Sequence, residues 1–297
     1  MSFPPAPKFV KKNHHVVPVL WQKKFSGAGD PGPYYLNVAS GKAHSAQGPG
    51  DKMSEEYANI VFDELYRPSD RLEDVLGDIE NKIAKGLDEL TKSGKIEKNT
   101  KIDMAMLLAL QACRYPERFS TLLDLGKYLA IALFDYRECP NVTVLNNALR
   151  AKGVLPGINF TSEDFERLRG SSEEKLAAEL EAILALHGYE ASFNPELIIS
   201  SAQQVATHIL GLKWTLVHCL DRNFILSDRP VPLPIGYGFD LGLTSEYGLR
   251  LSDPDDISQE TLYPITVTSA EVDDTNAKVR ARAKTWICGP GAWVHSL

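Results

Sequence analysis

The chain has 297 residues, of which 43% are hydrophobic and 24% charged, with a formal net charge of -7. That is globular composition with enough apolar material for a sizeable core, and the acidic balance argues against a general nucleic-acid binder. No apolar run approaches the ~20 residues that span a bilayer. Four widely spaced cysteines with no CxxC pair (Cys113, Cys139, Cys219, Cys288) argue against a zinc ribbon or a disulfide framework.

The N-terminal "MSFPPAPKFVKKN" carries prolines where a secretion signal has its apolar core, so residues 1–13 read as an irregular tail of a cytoplasmic protein, with signal-independent export left open. Five lysines (Lys8, Lys11, Lys12, Lys23, Lys24) precede the first acid, Asp30, which makes this end locally basic and able to attract phosphate. In "HHVVP", Pro18 biases Val17 away from the helical region, so the run is extended and a turn of helix follows. An extended backbone sends His14 and His15 to opposite faces. Imidazole serves as acid, base or ligand near neutrality, and His15 is the candidate.

Residues 27–52 carry Gly, Pro, Ser and Asp turn signals around "YYLNVA", a strand expected to form a hairpin. Helical periodicity then begins at Leu72, Val75, Leu76, Ile79, Ile83, Leu87 and Leu90, with Ser69 or Asp70 as cap and Gly94 as stop. Glu80 sits on the border of that apolar stripe. The next helix, "TKIDMAMLLALQACRYPERF", is apolar almost all round, so it is buried on most sides, and Pro116 marks its end. Gln111 and Arg114 lie three residues apart on one face of it. A buried arginine there must find a carboxylate or an anion.

Helices follow in "SEDFERLRG", "SSEEKLAAELEAILALHG" and "NPELIISSAQQVATHILGL". After Gly211 the pattern turns to strands: "KWTLVHCL" and "NFILSD" as a pair, then "ETLYPITVTS", a short helix in "TNAKVRARAK", and "TWICG". Ser227 and Asp228 close the second of these strands, where an acid either caps a turn or serves a site held by the sheet. His208 and His218 read as core or packing residues, and His44, in a Gly-rich loop, and His187, at a helix end beside Gly188, carry no signal. The fold class is α+β: a tail over 1–13, then one domain over 14–297. It is mainly helical from about 54 to 212 and β-rich from about 213 to 297, with a small mixed or antiparallel sheet joining the N-terminal hairpin to the C-terminal strands.

In order along the chain, His15-Val16-Val17-Pro18 with Leu20 and Phe25, then Leu72-Glu73 and Ile79-Glu80, then Gln111 and Arg114, then Trp214, Phe224, Ser227, Asp228, Pro230 and Val231 make a set. It resembles a domain-of-unknown-function family, widespread in bacteria and also found in fungi, whose signature is close to "HYVPxxxLxxF" and "F..SDxPV". Val16 stands where tyrosine is usual, and the glycine-rich 27–52 stretch is unusually long. The family places an asparagine at the opening of a late helix, here Asn276. The resemblance implies a likely site without a reaction: His15, Glu80, Gln111, Arg114 and Asp228 converging, with Ser227 beside them.

Three chemistries fit such a site. A metal-dependent nuclease or phosphodiester or nucleotide hydrolase, in the manner of a defence or toxin effector, would use His15 as base or ligand, Asp228 or Glu80 to orient it, and Arg114, Gln111 and Ser227 on the substrate. Mg or Mn would be the metal, and nucleic acid or nucleotide the partner. HNH chemistry is the sharpest version, but no Asn-His or His-x-x-x-His helix follows "HHVVP". A non-catalytic module binding a small anion is the second, and a buried His/Arg/Asp network that only fixes the fold is the third. A convergent site predicts an Arg114–Asp228 ion pair, with His15 opening onto the same cavity.

Overall fold

The computed structural model describes residues 13–44, 52–56, 61–62, 68–69, 71–114, 139–151, 160–172, 174–175, 178, 195–232, 234–254 and 261–296. In chain order these form β1 (Asn13–His15), α1 (Val19–Gln22), β2 (Tyr34–Asn37), β3 (Ala43–His44), β4 (Ser54–Glu56), β5 (Val61–Phe62) and β6 (Pro68–Ser69). Helices α2 (Arg71–Ser93), α3 (Lys98–Cys113), α4 (Val142–Ala151), α5 (Ser162–Gly170) and α6 (Pro195–Gly211) come next. The chain ends with β7 (Lys213–His218), β8 (Leu226–Ser227), β9 (Phe239–Gly242), β10 (Tyr247–Ser252), β11 (Thr261–Thr266), α7 (Ser269–Arg282), β12 (Trp286–Gly289) and α8 (Gly291–Val294). The fold is α+β.

The chain divides into two compact units. One takes residues 1–12, 59–75 and 116–197, and the other takes 13–58, 76–115 and 198–297. The first holds the antiparallel β5–β6 pair, α4 and α5. In it the Asn146 side chain joins the α4 surface to the entry of α5, donating to Phe160 O and accepting from Phe160 N, both at 2.9 Å.

The second unit carries two four-stranded sheets, ordered β3-β2-β12-β8 and β11-β7-β10-β9. The expected hairpin β2–β3 therefore joins the C-terminal strands, with Leu36 opposite Ile287. Two details differ from expectation. "KWTLVHCL" and "NFILSD" are not a strand pair: β7 pairs with β10 and β11, whereas β8 pairs with β12 in the other sheet. β9 and β10 are full ladder members in a stretch that carries no predicted element. Their glycines explain how they fit. A Cβ on Gly248 would stand 2.6 Å from the Phe224 ring, and one on Gly242 would stand 2.9 Å from both Phe224 and Phe25. Small residues let these two rings lie directly on the strands.

α2 forms as its periodicity requires. Leu72, Leu76, Ile83, Leu87 and Leu90 are buried, Glu73 and Asp74 complement the N-terminal dipole, and Gly94 ends the helix in the left-handed region at φ 66° with its N–H on Leu90 O. Asp70 and Pro116, expected as cap and stop, lie outside the described residues, as do His187 and most of the helix expected over 171–188. α3 is buried on nearly every side, from Met104 to Cys113.

α7 is longer than "TNAKVRARAK" suggested, because a capping box at Thr268 and Glu271 starts it at Ser269. Asn276 therefore sits mid-helix and does not open it. Its amide accepts from Ile225 N at 3.2 Å and donates to Asn223 O at 2.9 Å, standing in for a missing strand neighbour. The Thr268 N–H and hydroxyl hold the Glu271 carboxyl below its usual range, helped by Arg250. The capping box therefore contributes above the ordinary carboxylate range, and its contribution fades as pH falls through the lowered value. Thr268→Ala is expected to cost about 1 kcal/mol in urea unfolding near neutral pH, with a smaller difference at pH 3.

Candidate functional site

The N-terminal signature is the best-anchored piece of irregular chain in the second unit. Pro18, extended at φ -51° and ψ 130°, accepts from the N–H groups of Trp21 and Gln22 and so opens α1. Trp21 is fully buried, with its indole N–H on Leu243 O at 2.9 Å. Two buried amides then grip consecutive carbonyls: Gln111 Nε2 donates to Val16 O, and Gln22 Nε2 donates to Val17 O at 2.7 Å. Gln22 is held in turn by the Tyr35 hydroxyl at 2.8 Å. Val16 N completes the frame by donating to Met53 O.

This frame presents the two histidines as the period of a strand requires. β1 pairs with β4, so that His14 faces Glu55 and His15 faces Ser54. His14 is fully buried while His15 is half-buried, which leaves His15 as the imidazole open to solvent.

Arg114 ends α3, one turn beyond Gln111, and is 7% exposed. Its carboxylate partner is Glu80, with Nη1 and Oε1 3.1 Å apart. This corrects the expected Arg114–Asp228 pair. The reason is local: Glu80 lies on the edge of the α2 stripe, and the Asp228 carboxylate is already occupied. Asp228 accepts from three consecutive N–H groups, Lys284 at 2.9 Å, Thr285 at 2.7 Å and Trp286 at 3.1 Å, while its own N–H donates to Trp286 O. Burial pushes the Asp228 carboxyl up, and the three backbone N–H groups and Arg229 pull it back. Asp228 therefore has the cap role, fastening the end of β8 to the start of β12. Ser227 is fully buried, and its hydroxyl accepts from Arg229 N at 3.3 Å, which gives it a task within the same turn.

Sequence reasoning missed a second buried arginine. Arg229, also 7% exposed, pairs with Glu55 at 3.1 Å, and Lys284 approaches the same carboxylate at 3.8 Å. The signal was present in "SDRP", where a charge follows directly on an apolar strand. His15, Gln111, Arg114 and Glu80 are thus joined through the Val16 carbonyl and the end of α3. Among the described residues Asp228 connects toward this group through Arg229 and Glu55, the residue opposite His14. Two buried atoms, Arg114 Nε and Gln111 Oε1, find no hydrogen-bond partner among the described residues. Among the described residues no group of three or more His, Cys, Asp or Glu is placed to hold a metal ion, and no helix is long and apolar enough to cross a membrane.

The signature run is thus a clamped strand with a half-buried imidazole, and the same Gln111 that holds it lies one turn before the buried Arg114–Glu80 pair. The chain belongs to the family described as protein of unknown function (DUF4238), whose model matches residues 13–289. No curated protein and no solved structure matches it.

Proposed function

We propose that the domain is a phosphodiester or nucleotide hydrolase in which His15 is the general base and Arg114, with Gln111, holds a phosphate of the substrate. The observation that carries this reading is the contrast between the two adjacent histidines: the buried His14 secures the strand, while His15 stays open to solvent on a backbone fixed by Gln111. A base needs a defined position and access to a proton, and His15 has both. Arg114 Nε is a donor without an acceptor among the described residues, which a phosphate oxygen would satisfy, while Gln111 serves chiefly by holding the Val16 carbonyl, its spare Oε1 being an acceptor. Glu80 orients the guanidinium, and Asp228 acts as a positioning residue for β12. Cleavage of nucleic acid by a defence or toxin effector falls within this class, and a Mg or Mn ion entering with the substrate phosphates would fit it.

The test is hydrolysis of single-stranded and duplex oligonucleotides and of nucleoside triphosphates, with Mg²⁺, with Mn²⁺ and with a chelator. His15→Ala is expected to reduce turnover by about a hundredfold or more, as for loss of a general base, with the melting temperature preserved. Equal activity in wild type and variant would sink the proposal.

A second reading, a non-catalytic module for a small anion, is favoured by one observation. Both carboxylates of the proposed site are engaged, Glu80 by Arg114 and Asp228 by backbone N–H groups. It predicts ligand-dependent thermal stabilisation with no turnover.

A further inference from the structure

Beside His15 lies a small surface that the hydrolase reading does not use. Trp286 opens β12 and is half-buried. Lys52 Nζ stands 4.6 Å from the centroid of its ring, and the His44 ring meets it edge-on at 5.4 Å. Lys284, two residues earlier, is exposed with its side chain 53% accessible, and Lys42 is exposed on the turn leading to β3. On a chain of net charge -7, Lys52 over the indole, with Lys284 and the buried Arg229 sharing the carboxylate of Glu55, gives this spot more positive than negative charge among the described side chains.

Two features fix this surface in place. The Asp228 carboxylate grips the N–H groups of 284–286 and so sets Lys284 and Trp286 on the sheet. On the other side Met53, buried and in the left-handed region at φ 49°, bends the chain between Lys52 and β4. A non-glycine residue is held in that region only where its surroundings enforce it. Ser54, the next residue, is the strand partner of His15, and Met53 O accepts from Val16 N. Lys52 is therefore two residues from the partner of the proposed base.

We propose that Trp286, Lys52, His44 and Lys284 form a contact surface for single-stranded nucleic acid, with a base stacked on the indole and backbone phosphates on the lysines. Lys52 acts as a removable cover. An ammonium over a half-buried ring is held less firmly than a stacked base, so an incoming base displaces it and the freed ammonium meets a phosphate. The surface names the substrate class of the hydrolase and rests on that reading.

The experiment measures the full chain by fluorescence anisotropy with a labelled single-stranded oligonucleotide across a salt series, and follows cleavage of the same oligonucleotide. Trp286→Leu is expected to weaken binding about tenfold, and Trp286→Phe to retain most of it. Lys52→Glu is expected to weaken binding and to lower the slope of log affinity against log salt by about 1. Lys92→Glu, on the exposed side of α2, should leave binding unchanged. If Trp286→Leu fails to fold, Lys52→Glu carries the comparison alone. Wild-type binding by Trp286→Leu and Lys52→Glu, or no binding by the wild-type chain at low salt, overturns the surface. His15→Ala separates the two proposals: it should bind as wild type and not cleave. Binding that needs Trp286 and Lys52 without cleavage by any form overturns the hydrolase and leaves the surface standing. Cleavage that needs His15 but neither Trp286 nor Lys52 does the reverse.

Discussion

Glu80→Gln is expected to destabilise the protein by about 3–5 kcal/mol, the cost of leaving one member of a buried ion pair without its partner. Arg114→Met should cost less, roughly 1–2 kcal/mol. The asymmetry follows from where the two charges sit. The Arg114 side chain is 4% accessible and the Glu80 side chain 21%. Among the described residues Glu80 is the only side chain hydrogen-bonded to the guanidinium, whose Nε already goes without an acceptor. Stripped of Glu80 and with no substrate bound, the cation is left without a counter-charge, because α3 is buried around it. Stripped of Arg114, the carboxylate can turn to water, and methionine fills most of the vacated volume. Urea unfolding of both single variants and the double variant checks this. If Arg114→Met proved the more damaging change, the view of Glu80 as servant of a trapped guanidinium would be wrong.

The second large effect is expected at Asp228. Asp228→Ala should cost about 3 kcal/mol, because three N–H groups at the head of β12 lose their acceptor at once and only the more exposed of them recover water. Asp228→Asn keeps one carbonyl oxygen and should recover about half of that loss. Because these N–H groups position Trp286, the Asp228→Ala variant should also show increased quenching of tryptophan fluorescence by acrylamide. A variant of wild-type stability would show that β8 and β12 are held together by their ladder alone.

Much of this was legible in the sequence wherever a residue contradicted its neighbours. Gln111 and Arg114 stood out as polar groups in an apolar helix, and both prove to be buried and engaged. Glu80 stood out on the border of a stripe, and it meets Arg114. Pro18 announced an extended "HHVV", and the split between His14 and His15 followed from strand period alone. The choice of carboxylate for Arg114 was not legible, because Glu80 and Asp228 are both plausible until the fold decides which is spare. Nor was the hold of Asp228 on 284–286: a side chain that caps distant backbone leaves no mark on the residues it caps. The β9–β10 ladder carried no clear strand signal, since Gly242 and Gly248 interrupt its apolar run; both serve as seats for aromatic rings. Asn276 was noticed for the right reason and placed wrongly, since a capping box eight residues upstream, at Thr268, had already started the helix.

The pairing of β2 with β12 also bears on synthesis. Leu36 leaves the ribosome about 250 residues before Ile287, the residue it must lie beside, and contacts at such separations close late in folding. Until then Tyr35 and Leu36 have no finished sheet to rest on. The five lysines before Asp30 keep that unfinished end charged, and charge next to an apolar strand discourages pairing with other nascent chains. The lysines flanking "HHVVP" thus have work to do before the domain is complete.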